Sequence, residues 1–267
     1  MRWPGVRALS PRRRLLVAAV ALFVVAAGVV TAVSVGGGSG VPRAGSPAQD
    51  TPGPVLLVPG YGGGRDSLEQ LAGRIHQATG RDTEVLTLAG DGTGDLLQQV
   101  DVLTQAVERA YAGGAPSVDV IGYSAGGVVA RLWVAREGGE HQARRVITLG
   151  APMHGTTLAT AGGVLAPSAC PTACRQLTPG SALLRQLPPI PPGLPWLSVW
   201  TRLDRTVTPP ESARLDGAVN VALQQVCPAD TAAHGDLPTD PAVTGLVLNA
   251  IGTAPLSVPA SCAALSS

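Results

Sequence analysis

One phenylalanine, three tyrosines and a charged fraction of 14 % across 267 residues exclude several functions at the outset. Beyond the N-terminus no basic patch with interleaved aromatics occurs, so a nucleic-acid surface is not expected. The Gly-rich stretch at 60–64 is followed by no Gly-Lys-Ser/Thr, and no G-x-G-x-x-G leads a helix with an acidic partner downstream, which argues against phosphate or dinucleotide binding. No calcium loop is recognisable, and Cys170 and Cys174 stand in a Pro-rich stretch without a nearby His, a poor zinc pattern. No metal or cofactor is therefore expected, and there are no internal repeats. What the chain does have is 45 % hydrophobic residues, enough for one sizeable core and too many for a disordered chain.

The net charge of +1 hides an asymmetry, because Arg2, Arg7, Arg12, Arg13 and Arg14 cluster at the N-terminus. Leu15 to Val35 then carries no charge and is apolar on every face. A basic head before an apolar run is the pattern of an export signal, with Ala32-Val33-Ser34 as a small-residue cleavage site. The same run is long enough to span a bilayer with the arginines left inside. Both readings export the remainder, secreted or tethered to the outer face of the cytoplasmic membrane. No Cys follows the run, so lipid modification is not indicated. Four cysteines in an oxidising compartment point to disulfides, with Cys170–Cys174 and Cys227–Cys262 favoured among the three pairings.

Residues 36–54 read as a Gly/Pro/Ser linker, so folding should begin near Val55 and continue through 55–267. Apolar runs at Val55–Val58, Glu84–Leu88, Val118–Ile121, Arg145–Leu149, Trp196–Trp200 and Val219–Leu223 alternate with helical periodicities. The helices run from Asp66, a candidate cap, to Thr79, from Asp95 to Ala110, from Ala125 to Ala135 and from Pro241 to Ile251. That alternation predicts an α/β fold with a mostly parallel central sheet and helices on both faces. Residues 154–195 are long for a connector and suggest a loop or lid at the functional edge.

Gly122-Tyr123-Ser124-Ala125-Gly126 matches the G-x-S-x-G elbow, a string that arises readily by chance in a Gly-rich chain. Its position between the strand Val118–Ile121 and a helix is what makes Ser124 a candidate nucleophile. A serine hydroxyl needs a base, and in this topology the acid and then the histidine follow the serine along the chain. His141 falls in a charged turn and His154 comes too early, which leaves His234, beyond the last strand, as the candidate base. The acid should close the strand Trp196–Trp200, which favours Asp204 over Asp216, Asp230 and Asp236. The oxyanion donors should be the backbone N–H groups of Ala125 and, in the loop after the first strand, Tyr61. His154 is left as a substrate-side or structural residue.

The segments VPGYGGG, IGYSAGG, LGAPMHGT, TRLDRTVTP, ARLDGAVNV and HGDLPTDP together resemble the bacterial class 2 lipases, over about Val55 to Ile251. The resemblance implies the α/β-hydrolase fold and cofactor-free hydrolysis of carboxylic esters, often acyl glycerols. It puts the triad on Ser124, Asp204 and His234, with Tyr61 and Ala125 as oxyanion donors. Many members of that family begin the oxyanion loop with His-Gly, where this chain has Pro59-Gly60; the Tyr61 amide is unaffected. A monomer acting on a lipid or other ester is expected. The same triad would also serve an envelope acyltransferase or thioesterase. A non-catalytic envelope binding protein is the reading from another class, against which all the chemical groups stand in the required order.

Overall fold

A computed structural model describes residues 45–165 and 170–265. The predicted signal or anchor segment Leu15–Val35 lies outside the described residues, as do residues 36–44 of the predicted linker. Among the described residues no helix is long and apolar enough to cross a membrane.

Six strands form one parallel sheet: β1 (Val55–Val58), β2 (Thr83–Val85), β3 (Val118–Tyr123), β4 (Ala143–Leu149), β5 (Trp196–Trp200) and β6 (Val219–Ala222). Their order is β2-β1-β3-β4-β5-β6, so the chain reverses its direction of travel between β1 and β3. Such a switch point opens a crevice at the C-terminal ends of the strands, where ligands of parallel sheets bind. The helices are α1 (Asp66–Thr79), α2 (Leu96–Ala112) and α3 (Ala125–Glu137). The short α4 (Thr157–Leu165), α5 (Thr172–Gln176) and α6 (Ala182–Arg185) follow, then α7 (Leu223–Val226) and α8 (Pro241–Ile251).

The two-residue period of the strands divides the core. Leu56, Val58, Val120 and Val146 face a cluster with Leu96, Val100 and Leu103 of α2 and Val128 and Leu132 of α3. Leu57, Ile121, Ile147 and Val199 face the opposite cluster, with Leu68, Leu71 and Ile75 of α1 and Val243 and Leu246 of α8. Each such side chain contributes about 1.5–3 kcal/mol on burial, so both helical layers are held to the sheet by the same alternation.

Several boundaries differ from the sequence reading. β2 ends at Val85, because the chain turns away after its last pairing with β1 and leaves β2 as a short edge strand. Asp66 is the first residue of α1 and makes no cap; the flanking position is Arg65. Asp95 does cap α2, its side chain accepting from the Leu97 N–H at 2.9 Å. Among the described residues, the stretch 154–195 carries three short helices docked on the core. Ala173, Leu177, Leu184 and Leu194 enter the core, and Gln176 bonds both to the Leu96 N–H (2.9 Å) and to Asp95 (2.7 Å).

At the N-terminal ends of the strands, Arg81, Arg144 and Arg145 converge on the last carbonyls of α8. Arg145 donates to Ala250 O (2.7 Å), Arg144 to Gly252 O (2.8 Å) and Arg81 to Ile251 O (3.1 Å). The fully buried Asp119 is their counter-ion, paired with Arg144 and, at 2.7 Å, with Arg81. Cations at a helix C-terminus satisfy carbonyls that the helix leaves free. Burial lowers the pKa of Arg81 and of Arg145, with Asp119 opposing the shift in both. The same arginines hold residues assigned to the linker. Gln49 accepts from Arg144 and Arg145 (both 3.0 Å), and Gly53 O accepts from Arg81 at 2.8 Å. The compact unit accordingly begins at Gly45, ahead of Val55.

The cysteines pair as Cys170–Cys174 and Cys227–Cys262, the pairing favoured from sequence. The second closes a loop of 35 residues, which on loop-entropy grounds is worth about 4 kcal/mol.

Candidate active site

The elbow follows from close packing. Ser124 has φ 51° and ψ −125°, and among the described residues it is the one non-glycine with positive φ. Such a conformation costs of order 1–3 kcal/mol and persists only where the surroundings over-determine it. Here the Ser124 N–H is taken by Leu149 O of β4 at 2.8 Å, and Ser124 O accepts from Gly127 N at 2.9 Å. A Cβ at Gly126 would lie 2.2 Å from Val58 O, and one at Gly122 would lie 2.5 Å from the Gly127 Cα. Only glycine lets β3 turn this tightly into α3 while passing β1.

Three predicted residues meet at this turn. Asp204 closes the turn after β5 and His234 opens a short 3-10 segment, His234–Asp236, beyond β6. The His234 Nδ1 lies 2.7 Å from Asp204 Oδ2, and its Nε2 lies 3.0 Å from Ser124 Oγ. A carboxylate only accepts, so Nδ1 carries the ring proton and Nε2 of the neutral imidazole accepts from the serine hydroxyl. The other oxygen, Asp204 Oδ1, accepts from Thr206 N (2.8 Å) and Val207 N (2.7 Å). Both Asp204 and His234 are buried. Asp216, Asp230 and Asp236 make no bond to the imidazole.

The loop after β1 passes close beneath the serine, since a Cβ at Gly60 would lie 3.0 Å from Ser124 Cβ. In that loop Gly62 N–H and Gly63 N–H are taken by Gly92 O (3.2 Å) and Gly60 O (3.0 Å). No acceptor among the described residues takes the Tyr61 N–H. Ala125 is the first residue of α3, so its N–H is one of the four that a helix leaves without an internal partner. His154, left open in the sequence, bonds through Nε2 to Arg214 O (3.0 Å) and through N–H to Ser212 O (3.2 Å); it ties two loops together. Among the described residues no three His, Cys, Asp or Glu side chains converge as a metal site would require.

Sequence reasoning missed Tyr123, the variable position of the elbow. Its hydroxyl donates to the His234 carbonyl at 3.2 Å, and its ring lies 5.3 Å from the imidazole, tilted by 32°. Burial, aided by the charges of Asp204 and Asp236, pushes its pKa up to about 12. An unfolded tyrosine loses its proton near 10, so between about 10 and about 12 the folded state binds more protons and stability falls as pH rises. Urea unfolding at about pH 9 and about pH 11 should show a loss of roughly 1.3 kcal/mol, about one pKa unit's worth. The loss should be smaller in Tyr123→Phe; an equal loss in both chains would remove Tyr123 as its source.

Strand order, parallel pairing and the serine turn after β3 define an α/β-hydrolase fold. The profile of the PGAP1-like alpha/beta domain matches residues 50–166. Aspergillus fumigatus lipase B superposes with a TM-score of 0.62 at 18 % identity, over 76 % of this chain and 53 % of that one. Bacillus licheniformis lipase BlEst2 in its mature form gives 0.54 at 20 % identity, over 67 % and 85 %. Its propeptide form gives 0.54 at 18 % identity, over 78 % and 50 %. At these identities the likeness is one of fold, and the chain spans about half the length of the fungal lipase. No curated protein matches the sequence.

Proposed function

We propose that this chain is an exported serine hydrolase that cleaves carboxylic esters, lipid esters among them, through an acyl-enzyme on Ser124. The observation that carries this reading is the unbroken relay from Asp204 through His234 to Ser124, at 2.7 and 3.0 Å. Ser124 Oγ attacks the ester carbonyl while His234 Nε2 takes its proton. The developing oxyanion is received by the Tyr61 and Ala125 N–H groups, each worth roughly 3 kcal/mol in comparable sites. The imidazolium, stabilised by Asp204, then protonates the leaving alcohol, and water activated by the same histidine releases the acid.

Three of the large hydrophobic side chains exposed among the described residues, Tyr61, Leu158 and Leu203, follow β1, β4 and β5 at the same end of the sheet as Ser124. An apolar rim of this kind suits a lipid-like ester. A cleft of about 340 Å³ bounded by Gly60, Tyr61, Arg65, Asp66, Ser67 and Tyr123 opens along the oxyanion loop and could take part of the substrate. The family-level likeness in VPGYGGG, IGYSAGG and TRLDRTVTP, and the lipases that share the fold, support the class 2 lipase kind. Arg12-Arg13-Arg14 before an uncharged run, and two disulfides, support export. The chain would act as a monomer without a cofactor.

Incubation of the full chain with p-nitrophenyl esters of increasing acyl length, alongside a fluorophosphonate probe, tests the reading. Turnover together with an adduct on the Ser124 peptide is expected. A folded chain that neither turns over any ester nor takes the label would be a binding protein. Transfer of the acyl group to an added alcohol in preference to water would make it an acyltransferase.

A further inference from the structure

Acid and base reach the serine on separate segments, 201–207 after β5 and 228–237 after α7. Apart from the His234–Asp204 bond itself, one direct hydrogen bond joins the two segments among the described residues: Thr201 Oγ1 donates to Ala232 O at 2.7 Å. Thr201 is fully buried. Its hydroxyl also accepts from Gln224 Nε2 (2.9 Å) and from Leu203 N (3.2 Å). Gln224, on α7, completes the link: its Oε1 accepts from Arg202 N at 2.8 Å and its Nε2 donates to Asp230 O at 3.3 Å.

These contacts use the single proton and both lone pairs of the Thr201 hydroxyl, and both amide protons of Gln224. A buried hydroxyl with every valence used has one orientation, and such satisfied networks rigidify what they join. The anchored atoms stand two residues from each reacting partner, Ala232 from His234 and Arg202 from Asp204. Neither Thr201 nor Gln224 bonds the imidazole or the serine.

We propose that Thr201 and Gln224 are positioning residues that set the register of the acid turn against the base loop, and so the Asp204–His234 hydrogen bond. The inference rests on the hydrolytic reading of the site. Its physical basis is that small misplacements of a general base are costly, about 10²-fold for an ångström. Without the Thr201 link, the imidazole–carboxylate bond would be the sole direct hydrogen bond between the base loop and the acid turn among the described residues.

Thr201→Val removes the hydroxyl at nearly constant volume, and Thr201→Ser keeps it. Thr201→Val should lower kcat on p-nitrophenyl esters by about tenfold, part of the 10²–10⁴ that a general base supplies, with KM within about twofold. Thr201→Ser should restore most of the loss, and Gln224→Leu should resemble Thr201→Val. In an Asp204→Asn background Thr201→Val should cost almost nothing further, because no carboxylate is left to position. Losses that multiply in that background, or a rise in KM with kcat unchanged, would overturn the proposal. The low-field proton resonance of His234 Nδ1–H separates this outcome from failure of the hydrolytic reading, since it needs no turnover. It should shift or broaden in Thr201→Val and persist in Thr201→Ser. An unaltered resonance in both would reject the positioning role even if no ester were cleaved.

Discussion

Replacing Ser124 by alanine should reduce ester turnover by about 10⁶-fold, the loss seen when the nucleophile of a serine triad is removed, while leaving the fold intact. The positive φ of 51° is already borne by a residue with a Cβ, so alanine adds no steric demand. The hydroxyl caps no helix N–H, and its hydrogen bond is to His234 Nε2 at 3.0 Å, so little stability depends on it. The urea midpoint should therefore move by less than about 1 kcal/mol equivalent. Measuring kcat and that midpoint on one preparation decides the matter. Residual turnover above about 1 % would remove Ser124 as the nucleophile, and a collapsed midpoint would show that the elbow needs the hydroxyl for folding.

Asp204→Asn should lower kcat by about 10⁴-fold through the tautomer of His234. The argument depends on the far side of the carboxylate. Oδ1 receives two backbone donors, Thr206 N at 2.8 Å and Val207 N at 2.7 Å. An asparagine must keep its carbonyl oxygen toward those donors and so turn its NH₂ group toward His234 Nδ1. That nitrogen then has to accept, which puts the ring proton on Nε2, facing Ser124 Oγ. A protonated Nε2 cannot take the serine proton. The variant should melt close to the native temperature, and nitrogen NMR of the imidazole should report the Nε2–H tautomer. Full activity with Nδ1 still protonated would show that Asp204 does not orient the base. Asp236, which instead bonds the Ala233 N–H at 2.8 Å, would then have to be reconsidered as the acid.

What the sequence determined by itself was whatever rests on short-range sterics and on periodicity. The strand–Gly-x-Ser-x-Gly–helix frame is local, because Gly122 and Gly126 are required by contacts within one turn and with β1. The alternation of Val55–Val58 and the helical spacing of Leu68, Leu71 and Ile75 carry their faces in the one-dimensional pattern, and the layers follow from them. Chain order together with the predicted strand ends singled out Ser124, Asp204 and His234, and the fold places His234 within hydrogen-bonding distance of both others. Favouring Cys170–Cys174 needed only proximity in sequence, and Cys227–Cys262 then followed as the remaining pair.

Tertiary structure alone decided how those residues are held. Tyr123 reaches a carbonyl 111 residues away, Thr201 one 31 residues away, and Gln49 the guanidinium of Arg145, 96 residues on. A hydroxyl or an amide has no periodicity that announces its partner, and its role depends on which carbonyl the packing of distant segments leaves within 3 Å. The same holds for Asp119. A lone carboxylate in an apolar strand pattern acquires its meaning only when Arg81, Arg144 and the end of α8 close around it. Residues 49–54 and the short helices within 154–195 are not legible in the sequence for this reason: their composition is that of a linker or a loop, and what fixes the described ones is the set of donors and apolar surfaces on elements far away in the chain.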